Sequence, residues 1–130
     1  MIFTSQRADH EQPEVVAKLG WRYHHVGIPT TVKREDEKYI EQYKMYVSGF
    51  CSSPFGVEWM RFESDSPLPE LIKTVAHVAF EVEDLDQSLI GQEVVFPPGI
   101  PSEGVRSAMI LHNGGPVELI AFGRNYSSGG

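Results

Sequence analysis

Apolar and polar residues alternate in several short runs along this chain, the mark of half-buried strands. The clearest run is 55–62, where Val57, Trp59 and Arg61 fall on one side and Glu58, Met60 and Phe62 on the other. Strands are also predicted over 23–28, stopped by Pro29, and over 43–50. In the second half they are predicted over 74–82, 93–96, 105–112 and 116–122. Pro97 and Pro98 should end the strand at 93–96, because proline has no N–H to give to a ladder. Asn113, Gly114 and Gly115 separate the last two strands, and Asn-Gly favours a tight hairpin because both residues tolerate positive φ. Asp84 can cap a short helix over 85–90, which Gly91 stops. Residues 14–19 allow a helical turn or two before Gly20. Segment 31–42 is ambiguous: its charges and the Tyr39/Tyr43 spacing allow a helix, and a solvated loop fits equally well.

The strand pattern repeats. His25-Val-Gly-Ile28 matches His77-Val-Ala-Phe80, and Val57-Glu-Trp-Met-Arg-Phe62 matches Val117-Glu-Leu-Ile-Ala-Phe122. Each copy therefore carries one histidine on its first strand and one glutamate on its last: His25 with Glu58, and His77 with Glu118. The anchors are 33 residues apart in the first copy (58 − 25) and 41 in the second (118 − 77), so the extra length belongs to connecting loops and helix. The coincidence of polar residues inside otherwise apolar runs matters most. Buried His and Glu need partners. A shared metal ion would satisfy all four, and two imidazoles with two carboxylates suit Zn, Ni, Fe, Mn or Co. Two positions would stay open on an octahedral ion, as a catalytic metal requires.

Composition narrows the classes. The 130 residues suffice for one domain or two small packed modules, and 41% hydrophobic content argues against disorder. A formal charge of −7 without a Lys/Arg cluster makes nucleic acid or an anionic membrane a poor partner. No run approaches a membrane span, and the first residues carry no apolar signal-peptide core. The single Cys51 cannot form an internal disulfide and fits a reducing compartment. A cytoplasmic location is the expectation.

At the His and Glu strands, above all Val75–Leu85 and Gly115–Phe122, the chain resembles the vicinal oxygen chelate superfamily, which includes glyoxalase I, methylmalonyl-CoA epimerase, extradiol dioxygenases and the bleomycin and fosfomycin resistance proteins. The resemblance covers about residues 22–123. It implies an α+β fold of two βαβββ-type modules forming a curved, partly open mixed-sheet cup, here with the first module shortened. The expected organisation is an N-terminal extension (1–21), the first module (22–63), a linker (64–73), the second module (74–123) and a flexible tail (124–130). The resemblance places metal ligands on His25, Glu58, His77 and Glu118, with Glu58 or Glu118 as proton shuttle. It implies a glyoxalase-like lyase or isomerase that binds a small substrate with vicinal oxygens and forms an enediolate, and a homodimer. The alternative is a metal-free protein of the bleomycin-resistance kind that sequesters a small molecule.

Other residues have plainer readings. His24 should point away from His25 and be structural or exposed, unless the register is off by one. His10 and His112 should be solvated, and Cys51 a turn residue. Trp59, Tyr43, Tyr46, Phe50 and Met60 belong to the core or to the wall of the cup.

Overall fold

A computed structural model describes residues 6–127. Eight strands form one mixed sheet: β1 (Arg22–Pro29), β2 (Lys38–Ile40), β3 (Met45–Ser48), β4 (Val57–Phe62), β5 (His77–Glu81), β6 (Glu93–Ser102), β7 (Val105–His112) and β8 (Gly115–Phe122). Their order is β2-β3-β4-β1-β5-β8-β7-β6. The first four strands make one half and the last four the other. In each half the first strand lies parallel to the last, β1 to β4 and β5 to β8, and the halves join through antiparallel β1 and β5. At that join Val26 pairs with Val78, its own equivalent in the repeat. A pseudo-two-fold axis therefore passes between the two valines.

Among the described residues, three short helices accompany the sheet: α1 (Glu14–Ala17), α2 (Glu70–Thr74) and α3 (Leu85–Leu89). No helix among the described residues is long and apolar enough to cross a membrane. α3 starts as predicted, with Asp84 Oδ1 accepting from the backbone N–H of Gln87 at 3.0 Å, and Gly91 at φ 79° turns the chain away. Asn113 (φ 48°) and Gly114 (φ 81°) form the tight β7–β8 turn. Segment 31–42 resolves as loop, then β2, then a 3-10 turn over Glu41–Tyr43, so the first module has no counterpart of α3. The predicted linker runs into α2, whose Ile72 is buried and whose last residue, Thr74, opens the predicted second module. The tail expectation for residues 128–130 falls outside the described residues.

The strand at 93–96 does not end at the prolines. β6 continues through Pro97 and Pro98 to Ser102, with three irregularities in its pairing to β7. It is an edge strand, where a missing N–H costs no ladder bond on the open side.

Alternation sorts the core into two sides. On the outer side of the second module Trp21, Val82, Leu85, Ile110 and Leu119 pack together beneath α3. On the inner side Met45 from β3, Met60 from β4 and Met109 from β7 share one cluster with Leu68 and Ile72. β3 and β7 stand near opposite ends of the strand order, so their methionines can share one cluster only if the sheet curls into a half-barrel. The expected cup is present.

Candidate metal centre

The site lies at the join between halves, on the concave face. Strand register sets two rows there. Glu58, Gly27 and His77 lie side by side across β4, β1 and β5, and His25, Ala79 and Glu118 across β1, β5 and β8. Each histidine is thus opposed by a very small residue of the other copy. A methyl group added to Gly27 would rest on the His77 ring, 2.7 Å from Nε2 and 2.9 Å from Nδ1. Glycine here makes room for an imidazole rather than for a turn. Alternation shows that these residues share a face, but not which residue of one copy opposes which of the other.

The imidazoles of His25 and His77 are buried, with ring centroids 5.6 Å apart and planes at 80°. Glu118 Oε1 reaches both, 3.3 Å from His25 Nε2 and 3.2 Å from His77 Nε2. Glu58 Oε1 is 3.8 Å from His25 Nε2. Donor atoms of His25, His77 and Glu118 lie within 4.8 Å of one another, and Glu58 stands beside that trio. Ligands about 2.1 Å from an octahedral ion sit roughly 3 Å apart along each edge, close to these separations. The buried Nε2 of His25 has no hydrogen-bond partner, since Glu118 is near it but not aligned for a bond. An unpartnered imidazole nitrogen facing carboxylates is what a divalent ion would complete, so these residues fit a metal.

Electrostatics separates the carboxylates. Burial alone would raise the Glu118 carboxyl, but His25 and His77 outweigh burial and hold it at about 2. Burial dominates at Glu58 and raises it above the ordinary value, with the charge of Glu118 acting in the same direction against the pull of His25. Burial lowers His25, yet Glu118 and Glu58 more than reverse it, leaving His25 above the ordinary 6.5. One carboxylate is thus held ionised and the other is poised to take a proton.

His24 does not point away. β1 bulges between Tyr23 and His25, which breaks alternation at this residue. Its ring joins the cavity wall, between Phe50 at 5.3 Å and Phe122 at 5.4 Å, and its Nδ1 lies 2.8 Å from His25 Nδ1. One of those nitrogens must donate and the other accept. When His25 Nδ1 donates, Nε2 is its bare nitrogen, facing the carboxylates. A bulge has no compositional signature, so the sequence carries no sign of this contact.

A cavity of about 380 Å³ opens from the cluster, walled by the methionines of the inner core with Tyr43, Val47 and Phe96. Phe50, Tyr43 and Met60 line it, whereas Trp59 and Tyr46 lie on the outer face under Arg34 and Arg61. Cys51, His10 and His112 are exposed.

Two of the solved structures that share this architecture illustrate it. One is a hypothetical protein of Bacillus halodurans C-125 (BH1468), with a TM-score of 0.59 and 14% identity over 82% of this chain and 98% of the other. The second is methylmalonyl-CoA epimerase from Mycobacterium tuberculosis, with a TM-score of 0.55 and 18% identity over 78% of this chain and 88% of the other. At these identities the likeness establishes the fold, and chemistry must be argued from the site. No family model and no curated protein matches the sequence.

Proposed function

We propose that this chain is a divalent-metal-dependent enzyme that moves a proton on carbon beside a carbonyl, in a small substrate bearing two neighbouring oxygens. The observation that carries the reading is a trio of His25, His77 and Glu118 with a second, raised carboxylate beside it, at the polar end of an apolar cavity. His25, His77 and Glu118 would hold the ion, which supplies Lewis acidity that lowers the pKa of the adjacent C–H. Glu118, held ionised, is suited to ligation. Glu58 is suited to take the proton and return it, because a carboxylate with a raised pKa is a better base near neutrality. Glu58 would also return the proton to carbon, and while protonated it exchanges with solvent, so turnover would wash deuterium into the substrate C–H. Isomerisation, epimerisation and lyase outcomes share this transfer and diverge only after it. The similarity to an epimerase supports the fold and is compatible with this class of chemistry.

Elemental analysis after growth in Zn, Ni, Mn and Co should find about one metal per chain. Glu118→Gln should lose it. Glu58→Gln should keep it and lose about 10²–10⁴-fold in solvent-deuterium exchange of a substrate C–H. A wild-type chain that neither retains nor takes up these metals would fit instead a binding protein that sequesters its ligand, and would sink the enzyme reading.

A further inference from the structure

The cavity walls say what kind of molecule enters, an inference that rests on the function proposed above. Its ionisable side chains other than Tyr43 are His24, His25, His77, Glu58 and Glu118, all at the metal end. Among the described residues, no lysine or arginine lines it. This is not an accident of local composition, because three basic residues sit next to wall residues and turn elsewhere. Lys44, between Tyr43 and Met45, is held by Asp65 at 2.6 Å. Lys73, beside Ile72, lies 3.4 Å from Glu70. Arg106, between Val105 and Ser107, reaches Asp86 at 3.0 Å. Strand alternation sends Arg106 to the outer face while Val105 and Ser107 face in.

A carboxylate or phosphate drawn against Met45, Met60, Met109 and Phe96 would lose its hydration with no cation to replace it. The uncharged polar groups on the walls are few: the Tyr43 hydroxyl, Ser102 and Ser107. Methionines suit a body of irregular shape, because they repack around it. The rim carries Phe50 and Phe122, 40% and 47% exposed, an aromatic mouth for an apolar ligand.

The geometry points to an uncharged substrate whose apolar body, ring-bearing or branched, fills the cavity and whose two neighbouring oxygens meet the His/Glu end. Substrates that must bring a carboxylate or phosphate into the cavity are the class it disfavours. A volume of about 380 Å³ lies near the small end of ligand pockets, which run from about 300 to 1,000 Å³, and fits the body of such a molecule.

The test compares benzoin, a neutral α-hydroxyketone, with its 4,4′-dicarboxylate and its 4,4′-disulfonate, by calorimetry on metal-loaded protein at fixed ionic strength. Benzoin should bind about a hundredfold more tightly than either. Ser107→Lys, which adds a cation to the wall, should narrow the gap for the dicarboxylate by about tenfold or more. Equal or tighter binding of either anionic probe by the wild-type chain overturns the inference, and leaves the metal and proton-transfer reading in place if that probe then exchanges its C–H with deuterium. Tight benzoin binding without exchange upholds the substrate class and removes the reaction. Binding of none of the three overturns the inference.

Discussion

The two halves of this molecule carry the same chemistry inside and different coverings outside. The second module shields its outer face with α3 and the segment around Trp21, an apolar layer in which Leu85 and Leu119 are 1% and 0% exposed. The first module has no helix there. Its loop after β1 covers that face with polar groups: Glu37 accepts a two-pronged bond from Arg61 at 2.7 and 2.8 Å, Arg61 lies 4.2 Å over the Tyr46 ring, and Arg34 stands 5.9 Å from Trp59. Asp36 accepts a further bond from the backbone N–H of Gly49 at 3.1 Å. The inner face tolerates no such freedom, since each His must face a small residue and each Glu must reach the same few ångströms. Half a barrel can lose its outer helix and keep its site, because strand register rather than outer packing positions the ligands.

This contrast can be broken from the inside first. Gly27→Ala should push the His77 ring aside and weaken metal binding by about 100-fold or more, at least what loss of an outer-shell partner costs. Ala79→Gly, the matching change in the other copy, should leave affinity nearly intact and cost about 0.5–1 kcal/mol of stability. Competition with a chelating dye reads both, and equal effects of the two would deny that the copies pack differently.

Outer packing comes next. Leu85→Ala should cost about 2–5 kcal/mol in urea unfolding and leave metal affinity unchanged, because a cavity beneath α3 does not reach the concave face. A parallel loss of affinity would show the outer layer holding the site after all. A smaller effect is expected at the bulge. His24→Phe keeps a ring between Phe50 and Phe122 but removes the partner of His25 Nδ1, so metal affinity should fall about 10–100-fold. His24→Asn, which retains a side-chain acceptor, should recover part of it. The smallest change belongs to the polar cover. Glu37→Gln should lower the melting temperature less than Leu85→Ala does, because the pair is only partly buried and the amide oxygen can still accept from Arg61. A loss comparable to Leu85→Ala would mean that the loop is a true substitute for α3.

How much of this the sequence discloses depends on the kind of constraint. Residue faces are legible: Glu58, Met60 and Phe62 turn inward and Trp59 and Arg61 outward, as alternation in 55–62 requires. So are local chemical signals, such as the Asp84 cap and the Asn113–Gly114 turn. The pairing of His25 with Glu58 and His77 with Glu118 along the chain is legible too, and the structure brings all four to one face. Features set by the partner strand are not. Pro97 and Pro98 read as a stop, but an edge strand with a free side absorbs them. The bulge that turns His24 inward depends on the register of β1 against β5. Which carboxylate sits among the imidazoles and which stands beside them is a matter of distances that a repeat cannot express. Segment 31–42 stays open in the sequence because the charges that would decorate a solvated helix are the same ones the loop uses to clasp Arg61.

The pairing of Val26 with Val78 has a consequence for ancestry. A strand that pairs antiparallel with its own equivalent, in matching register, is what two copies of a half-length chain would do on meeting. Such a homodimer would bring two histidines and two glutamates to its symmetry axis before any fusion of the halves. The present chain then reads as a joined pair in which one partner kept its helix and the other was free to shed it. Cleavage between Ser64 and Asp65, exposed residues that separate the halves along the chain, should leave two fragments able to find each other again.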